Sequence, residues 1–257
     1  MLTIEKTVLM SPEQMEMVIE GMRNPKNSWN KSDSAIEYIE NPETMNTAAW
    51  QFHLGDADYT LMKALTLGGA VHAKYRRMMP VMSTINAPLY WWKEFDTYKI
   101  GTVANSCSTM HKIHAKSFEM SDFSTDHLFD KKDVKWGDPC SISVMELIIE
   151  ALNTYRNKYI ETGSKEYWWQ MIQLLPSSYN QKRTVMLNYE VLSNIYNDRR
   201  SHKLDEWHAI CDWIEKLPYS DIIFYKAPNT DESYETKGVC SIDIDLTKMG
   251  VNENGKG

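Results

Sequence analysis

Cysteine is scarce. The 257 residues carry only Cys107, Cys140, Cys211 and Cys240, and no two of them stand as C-x-x-C. That spacing excludes a zinc ribbon and offers no disulfide framework, so a reducing compartment suits the chain and a cytoplasmic location is expected. Basic charge is also short. Lys and Arg number 28 against 35 Asp and Glu, a net charge of -7. Duplex nucleic acid needs a basic surface and is disfavoured as a partner, whereas a mononucleotide needs only a local patch. The N-terminus, MLTIEKTVLM, has no basic start followed by a long apolar run. No signal peptide, transmembrane span or membrane partner is expected. Gly68-Gly69 lacks both the Lys-Ser/Thr of a phosphate loop and the Rossmann spacing, and no G-x-S-x-G elbow occurs.

Large soft and flat side chains are plentiful. Sixteen Met, nine Trp and fourteen Tyr suit pockets for planar ligands, and equally suit ordinary core packing. The Trp91-Trp92 and Trp168-Trp169 pairs read as core or interface. Cys107, His111 and His114 have a spacing that can ligate a metal on a helix, but no second cluster completes a site, so no metal is expected.

Periodicity and punctuation give the elements. Leu2 to Met10 reads as a strand. Ser11, Pro12 and Gln14 form a capping box and helix start, and the helix fades near Gly21 to Asn24. Asn24 to Asn46 is polar and loop-rich. A helix runs over Asp56 to Leu67, where Gly68-Gly69 interrupts it or lets another backbone approach closely, Val81 to Ile85 is a short strand, and Ala87-Pro88 opens a helix carrying Leu89, Trp92 and Phe95. Met120 to Pro139 is turn-rich. Ser143 to Ile160 is a helix with a Ser143/Glu146 capping box, an apolar face of Leu147, Ile148, Ala151, Leu152, Tyr155 and Tyr159, and a stop at Gly163. Helices follow at Lys165 to Gln173, Tyr179 to Asn197 and Leu204 to Leu217. Asp221 to Tyr225 and Val239 to Leu246 read as late strands, with a turn-like Ala227 to Gly238 between them and a disordered tail after them.

Reading Tyr179 to Arg200 as one helix puts Asn188 and Arg199, eleven residues apart, within roughly 20° on one face, with Asn194 on a flank. Arg presents a planar donor fork suited to a carbonyl, a phosphate or an anionic ring edge. The same pattern also suits a solvated helix end, where Arg199 and Arg200 favour the C-terminal dipole.

The segment LPSSYNQKRTVMLNYEVLSNIYNDRRSHKLDEW, Leu175 to Trp207, resembles the C-terminal signature of flavin-dependent thymidylate synthases. Pro176, Asn188, Asn194 and Arg199 fall in that register without a gap, and one extra residue precedes Trp207. The resemblance implies that Asn188 and Asn194 contact flavin and that Arg199 contacts and polarises the pyrimidine, making Arg199 the catalytic residue. Upstream, His72 and Pro88 reproduce the family's sixteen-residue spacing from a flavin-site His to a helix-opening Pro. His72 and the nearby Lys74 are implied cofactor contacts.

The central motif departs from the family. Where Arg-His-Arg is usual, this chain has Thr97-Tyr98-Lys99, followed by Asn105, Ser108, Met110 and His111. The resemblance still implies flavin contacts at Tyr98, Lys99 and Asn105, and nucleotide contacts at Glu94, Ser106 and Ser108. Met110 and Ile172 or Gln173 stand where family members place phosphate-binding Arg. Each such bond contributes about 1.5–3 kcal/mol. Lys93, Lys112 and Arg183 are the nearby substitutes.

The resemblance spans roughly residues 56 to 217. It implies an α/β (α+β) fold, one domain over residues 1–247 with a central mixed or antiparallel sheet and long helices. It also implies a homotetramer with sites at subunit junctions, and reductive methylation of dUMP to dTMP with FAD, NADPH and methylenetetrahydrofolate. The altered phosphate positions leave room for another pyrimidine nucleotide, as in a hydroxymethylating enzyme, or for a non-catalytic nucleotide-binding homologue.

Overall fold

The computed structural model describes residues 2–39 and 49–224. The late strand Val239 to Leu246, the turn before it and the C-terminal tail lie outside them. The first strand, β1 (Thr3–Val8), leads to α1 (Pro12–Arg23). Ser11 Oγ accepts from the Gln14 backbone while the Ser11 backbone donates to Gln14 Oε1, so the capping box forms as the sequence predicts. The polar stretch after α1 holds a strand the loop reading passes over, β2 (Ala35–Ile39), paired antiparallel with β3 (Ala49–His53). Helix α2 (Asp56–Leu67) and a 3-10 turn over Lys74–Met78 precede β4 (Pro80–Pro88) and α3 (Leu89–Phe95). Strand β5 (Val103–Ser106), α4 (Ser141–Thr162) and α5 (Lys165–Leu174) follow. The described chain closes with β6 (Asn180–Asn188), α6 (Tyr189–Arg199), α7 (Asp205–Glu215) and α8 (Asp221–Phe224).

The main sheet has the order β1-β4-β6-β5, and every neighbour is antiparallel. With helices around it, this is a mixed α and β architecture. Its axis is the β4–β6 ladder, nine residues in register from Pro80↔Asn188 to Pro88↔Asn180.

That ladder corrects the sequence reading. Tyr179 to Asn188 is not the first half of a long helix. Val185 and Leu187 point into the core while Lys182, Thr184 and Met186 are exposed, a period of two. Asn188 and Arg199 therefore do not share a helix face. The absence of Gly and Pro across Tyr179 to Arg200 conceals the junction, but β-branched Thr184-Val185 packs better in a pleated strand. The Ser143/Glu146 box does not form, because the helix already begins at Ser141 with Cys140 at the cap. Asp221 to Tyr225 is not a strand: Ile222 and Ile223 are buried on a short helix, and a brief apolar run does not distinguish the two by period. Gly163 does stop α4, in the left-handed conformation with φ 66°.

The main core packs Trp91, Trp92, Phe95 and Trp207 around Val185, Leu187 and Tyr189, so the first Trp pair is core. Trp91 lies 4.8 Å from Trp92 and 4.8 Å from Trp207, ring centre to ring centre. A second cluster, including Phe118, Phe123, Leu152 and Met171, lies under α4 and α5. There Trp168 is half-buried and donates to the Met110 carbonyl at 3.1 Å, while Trp169 is exposed. No described helix is long and apolar enough to cross a membrane.

A buried ion pair ties α1 to α2. Arg23 Nε donates to Asp58 Oδ1 at 2.5 Å, and both side chains are almost fully enclosed. Asp58 Oδ2 also accepts from the hydroxyls of Ser32 and Ser34, each at 2.7 Å, and from the Asp33 and Ser34 backbones. Burial works to raise the carboxyl, but the Ser32, Ser34 and Arg23 bonds and the Arg23 charge together hold it below the usual carboxylate range. A lowered carboxylate contributes stability above its unfolded pKa of about 3.9, and loses it as pH falls through the folded value. Asp58→Ala is predicted to cost about 3–5 kcal/mol in urea unfolding at pH 7, because Arg23 is left buried and unpaired. The difference from wild type should shrink below about pH 4.

Candidate functional site

Helix α6 begins where β6 ends. Asn188 is the N-cap: its Oδ1 accepts from the Val191 backbone at 3.0 Å, which accounts for an Asn here without any ligand. Its Nδ2 lies against Gly101, where φ is +80° and an added Cβ would sit 2.8 Å from that nitrogen. Arg199 is the last residue of α6, eleven positions on.

Around Arg199 the chain gathers a polar and aromatic cluster from three elements. Nε donates to the Tyr98 hydroxyl at 2.9 Å and Nη1 to Glu94 Oε2 at 3.2 Å. The guanidinium lies 4.8 Å from the Trp207 ring centre and 5.6 Å from that of Tyr98. Tyr98 donates in turn to Asp198 Oδ2 at 3.2 Å. Burial, assisted by Asp198, outweighs Arg199 and pushes the Tyr98 phenol above its ordinary value, so it remains a neutral donor.

Glu94 organises the cluster from α3. Its Oε2 accepts from Arg199 and from Trp207 Nε1 at 2.9 Å, and faces His202 Nε2 at 3.4 Å. The Leu204 backbone donates to His202 Nδ1 at 3.2 Å, so in the neutral ring the proton lies on Nε2, toward Glu94. One residue before Trp207, buried Glu206 accepts from the Tyr90 hydroxyl. Burial and that bond raise the Tyr90 phenol. His202 and Asp198 are members that spacing does not single out, while Trp207 closes the signature segment; the Ser201-His202 dipeptide beside Arg199 is the signal that points to His202.

Other sequence-predicted residues lie apart from this cluster. His72, Lys74, Lys99, Asn105, Asn194, Ser106 and Ser108 are all exposed. Lys74 opens the 3-10 turn that is fixed to α6 by the buried Arg76–Glu190 pair at 2.6 Å and by Arg76 donating to Ser193, next to Asn194. Asn105 and Ser106 lie on β5 opposite Thr184 and Arg183. Ser108 Oγ accepts from the His111 backbone at 3.0 Å. Arg183 is already engaged: Nε donates to Gln181 and Nη1 to Asp96 at 2.7 Å, with the guanidinium over Trp92. Lys93, Lys112 and Met110 are exposed. No group of three His, Cys, Asp or Glu suited to a metal gathers among the described residues.

Removing Glu94 leaves Arg199, Trp207 and His202 facing a partly buried gap. Glu94→Ala is predicted to lower stability by about 1–3 kcal/mol in urea unfolding, and Glu94→Gln by less, since the amide oxygen still accepts.

Two solved structures of thymidylate synthase X from Helicobacter pylori, each with FAD and dUMP, are similar to this fold. One is 14% identical, with 86% of this chain and 94% of that chain covered and a TM-score of 0.54. The other is 13% identical, with 86% and 95% covered and a TM-score of 0.52. At that identity the likeness is one of fold. No protein-family model and no curated protein matches the sequence.

Proposed function

We propose that this chain is a flavin-dependent enzyme of the thymidylate synthase type, carrying out reductive methylation of dUMP to dTMP. The observation that carries the reading is the held guanidinium of Arg199. Tyr98 and Glu94 fix its plane, Trp207 and Tyr98 bracket it, and it sits at the signature position in a fold shared with structures holding FAD and dUMP.

Arg199 meets the pyrimidine edge and stabilises negative charge that develops on the ring. Because its partners hold it before substrate arrives, little reorganisation is needed. Glu94 takes up part of the positive charge and keeps the fork from swinging away. Ser106 and Ser108 meet the nucleotide.

The donor set fits a flavin. His72, Lys74, Lys99, Asn105 and Asn194 make no side-chain hydrogen bond with the described residues and are exposed, so their donors are free for the ring edge. Asn188 has already given its oxygen to the α6 cap, which leaves the amide nitrogen for this role. When bound, FAD supplies the hydride, with methylenetetrahydrofolate as carbon source and NADPH as reductant. The homotetramer that the resemblance implies would bring such donors from several copies to each site. An exposed apolar row crosses the sheet in register, Val8, Met82, Met186 and Val103, and supports a covered outer face.

One observation favours a second reading, an enzyme acting on another pyrimidine nucleotide. Met110 and Ile172 or Gln173 replace phosphate ligands, and Arg183 is committed to Asp96 and Gln181. Purified protein should be yellow, or become so with FAD. A colourless protein that takes up no FAD would favour a non-catalytic homologue instead. Growth rescue of a thymidine-requiring strain separates dUMP methylation from the second reading. Arg199→Ala should lower kcat/KM by about 10²–10³-fold with flavin still bound. Full activity in that variant would remove Arg199 from the mechanism.

A further inference from the structure

A cavity of about 170 Å³ opens between α1 and the β2–β3 hairpin, lined in part by Glu16, Ile19, Glu20, Arg23, Trp29 and Phe52. It is roughly the liquid volume of five or six waters. None of the residues assigned above to flavin or nucleotide lines it.

Its floor is charged but balanced. Arg23 gives Nε to Asp58 and Nη1 to the Ser28 carbonyl at 3.2 Å, so the one cation lining the cavity among the described residues is neutralised by a carboxylate 2.5 Å away. Its rim is not balanced. Glu16 and Glu20 stand one turn apart on the same face of α1, both exposed, with no cation in contact among the described residues. Like charges at that spacing repel and weaken the helix unless a cation lies between them. The walls are apolar and aromatic. Trp29 Nε1 donates to Asn24 Oδ1 at 2.7 Å, which holds the indole in place, and Ile19 and Phe52 complete the lining. An indole face attracts a cation through its quadrupole.

We infer that this cavity binds a small alkylammonium ion. The ammonium head lies between Glu16 and Glu20 beside the Trp29 ring, and the alkyl chain packs on Ile19 and Phe52. An anion at this mouth would meet two carboxylates with no cation in contact among the described residues, and an arginine whose charge is already matched. The inference is independent of the flavin reading, since it uses a different face of the chain and needs no cofactor.

Saturation-transfer NMR on the full chain, titrated with butylammonium chloride, sodium butyrate or 1-butanol at equal ionic strength, tests it. Butylammonium should bind saturably, with butyrate and butanol weaker by about tenfold or more. The exposed double change Glu16→Gln/Glu20→Gln should weaken butylammonium by about tenfold while circular dichroism stays unchanged. Trp29→Leu, which leaves both carboxylates in place, should weaken it by about three- to tenfold and gives the reading should the double variant lose its fold. Equal binding of butyrate, no saturation with wild type, or a change below about twofold in both folded variants overturns the proposal.

Discussion

The nine-residue ladder between β4 and β6 sets the positions of nearly everything else. Because the strands are antiparallel, they leave the ladder at opposite ends, β4 into α3 after Pro88 and β6 into α6 after Asn188. The ladder is roughly 27 Å long at about 3.4 Å per residue. Helix α3 is about 10 Å long and α6 about 16 Å at 1.5 Å per residue. Two helices that turn back beneath the sheet from opposite ends therefore run out of length near each other. Glu94, in the last turn of α3, meets Arg199, the last residue of α6. The pair is a product of strand register, and a slip in β6 would separate it.

The sequence carries its local structure unevenly. Ser11-Pro12-x-Gln14 and Gly163 are legible because capping is a short-range event: the groups that satisfy the helix end lie within three residues of it. Strand β6 is not, because its stability comes from β4, a hundred residues earlier, and from β5. Local propensity has no access to those partners. Element type and the shared face of Asn188 and Arg199 are what local propensity misses. Arg199, Glu94 and Tyr98, which the family register points to, nevertheless converge in space.

The rest of the site was less legible for a different reason. Asn188 is explained by capping, and Ser108 Oγ by a turn, so their residue types do not require a ligand. His72, Lys74, Lys99, Asn105 and Asn194 have the opposite character: they face outward and nothing in the described chain uses their donors. His202 and Trp207 enter the cluster through one oxygen of Glu94, a three-way meeting of α3, the turn after α6 and α7 that linear spacing does not encode. Arg199 is consequently less electropositive than its residue type suggests. What its environment leaves distinctive is the fixed planar donor fork more than the net charge.

Asn188 has a further consequence for reading evolutionary records. It ends a strand, caps a helix and lies against Gly101, where φ is +80°. Selection for the backbone alone would keep a capping residue at that position, Asn, Asp or Ser, whatever cofactor descendants kept or lost. Retention of a capping residue there carries no phylogenetic information about flavin. On the proposed flavin reading, Asn194, exposed six residues later with no such backbone duty, is the position whose substitution pattern would record when a lineage gained or abandoned the cofactor.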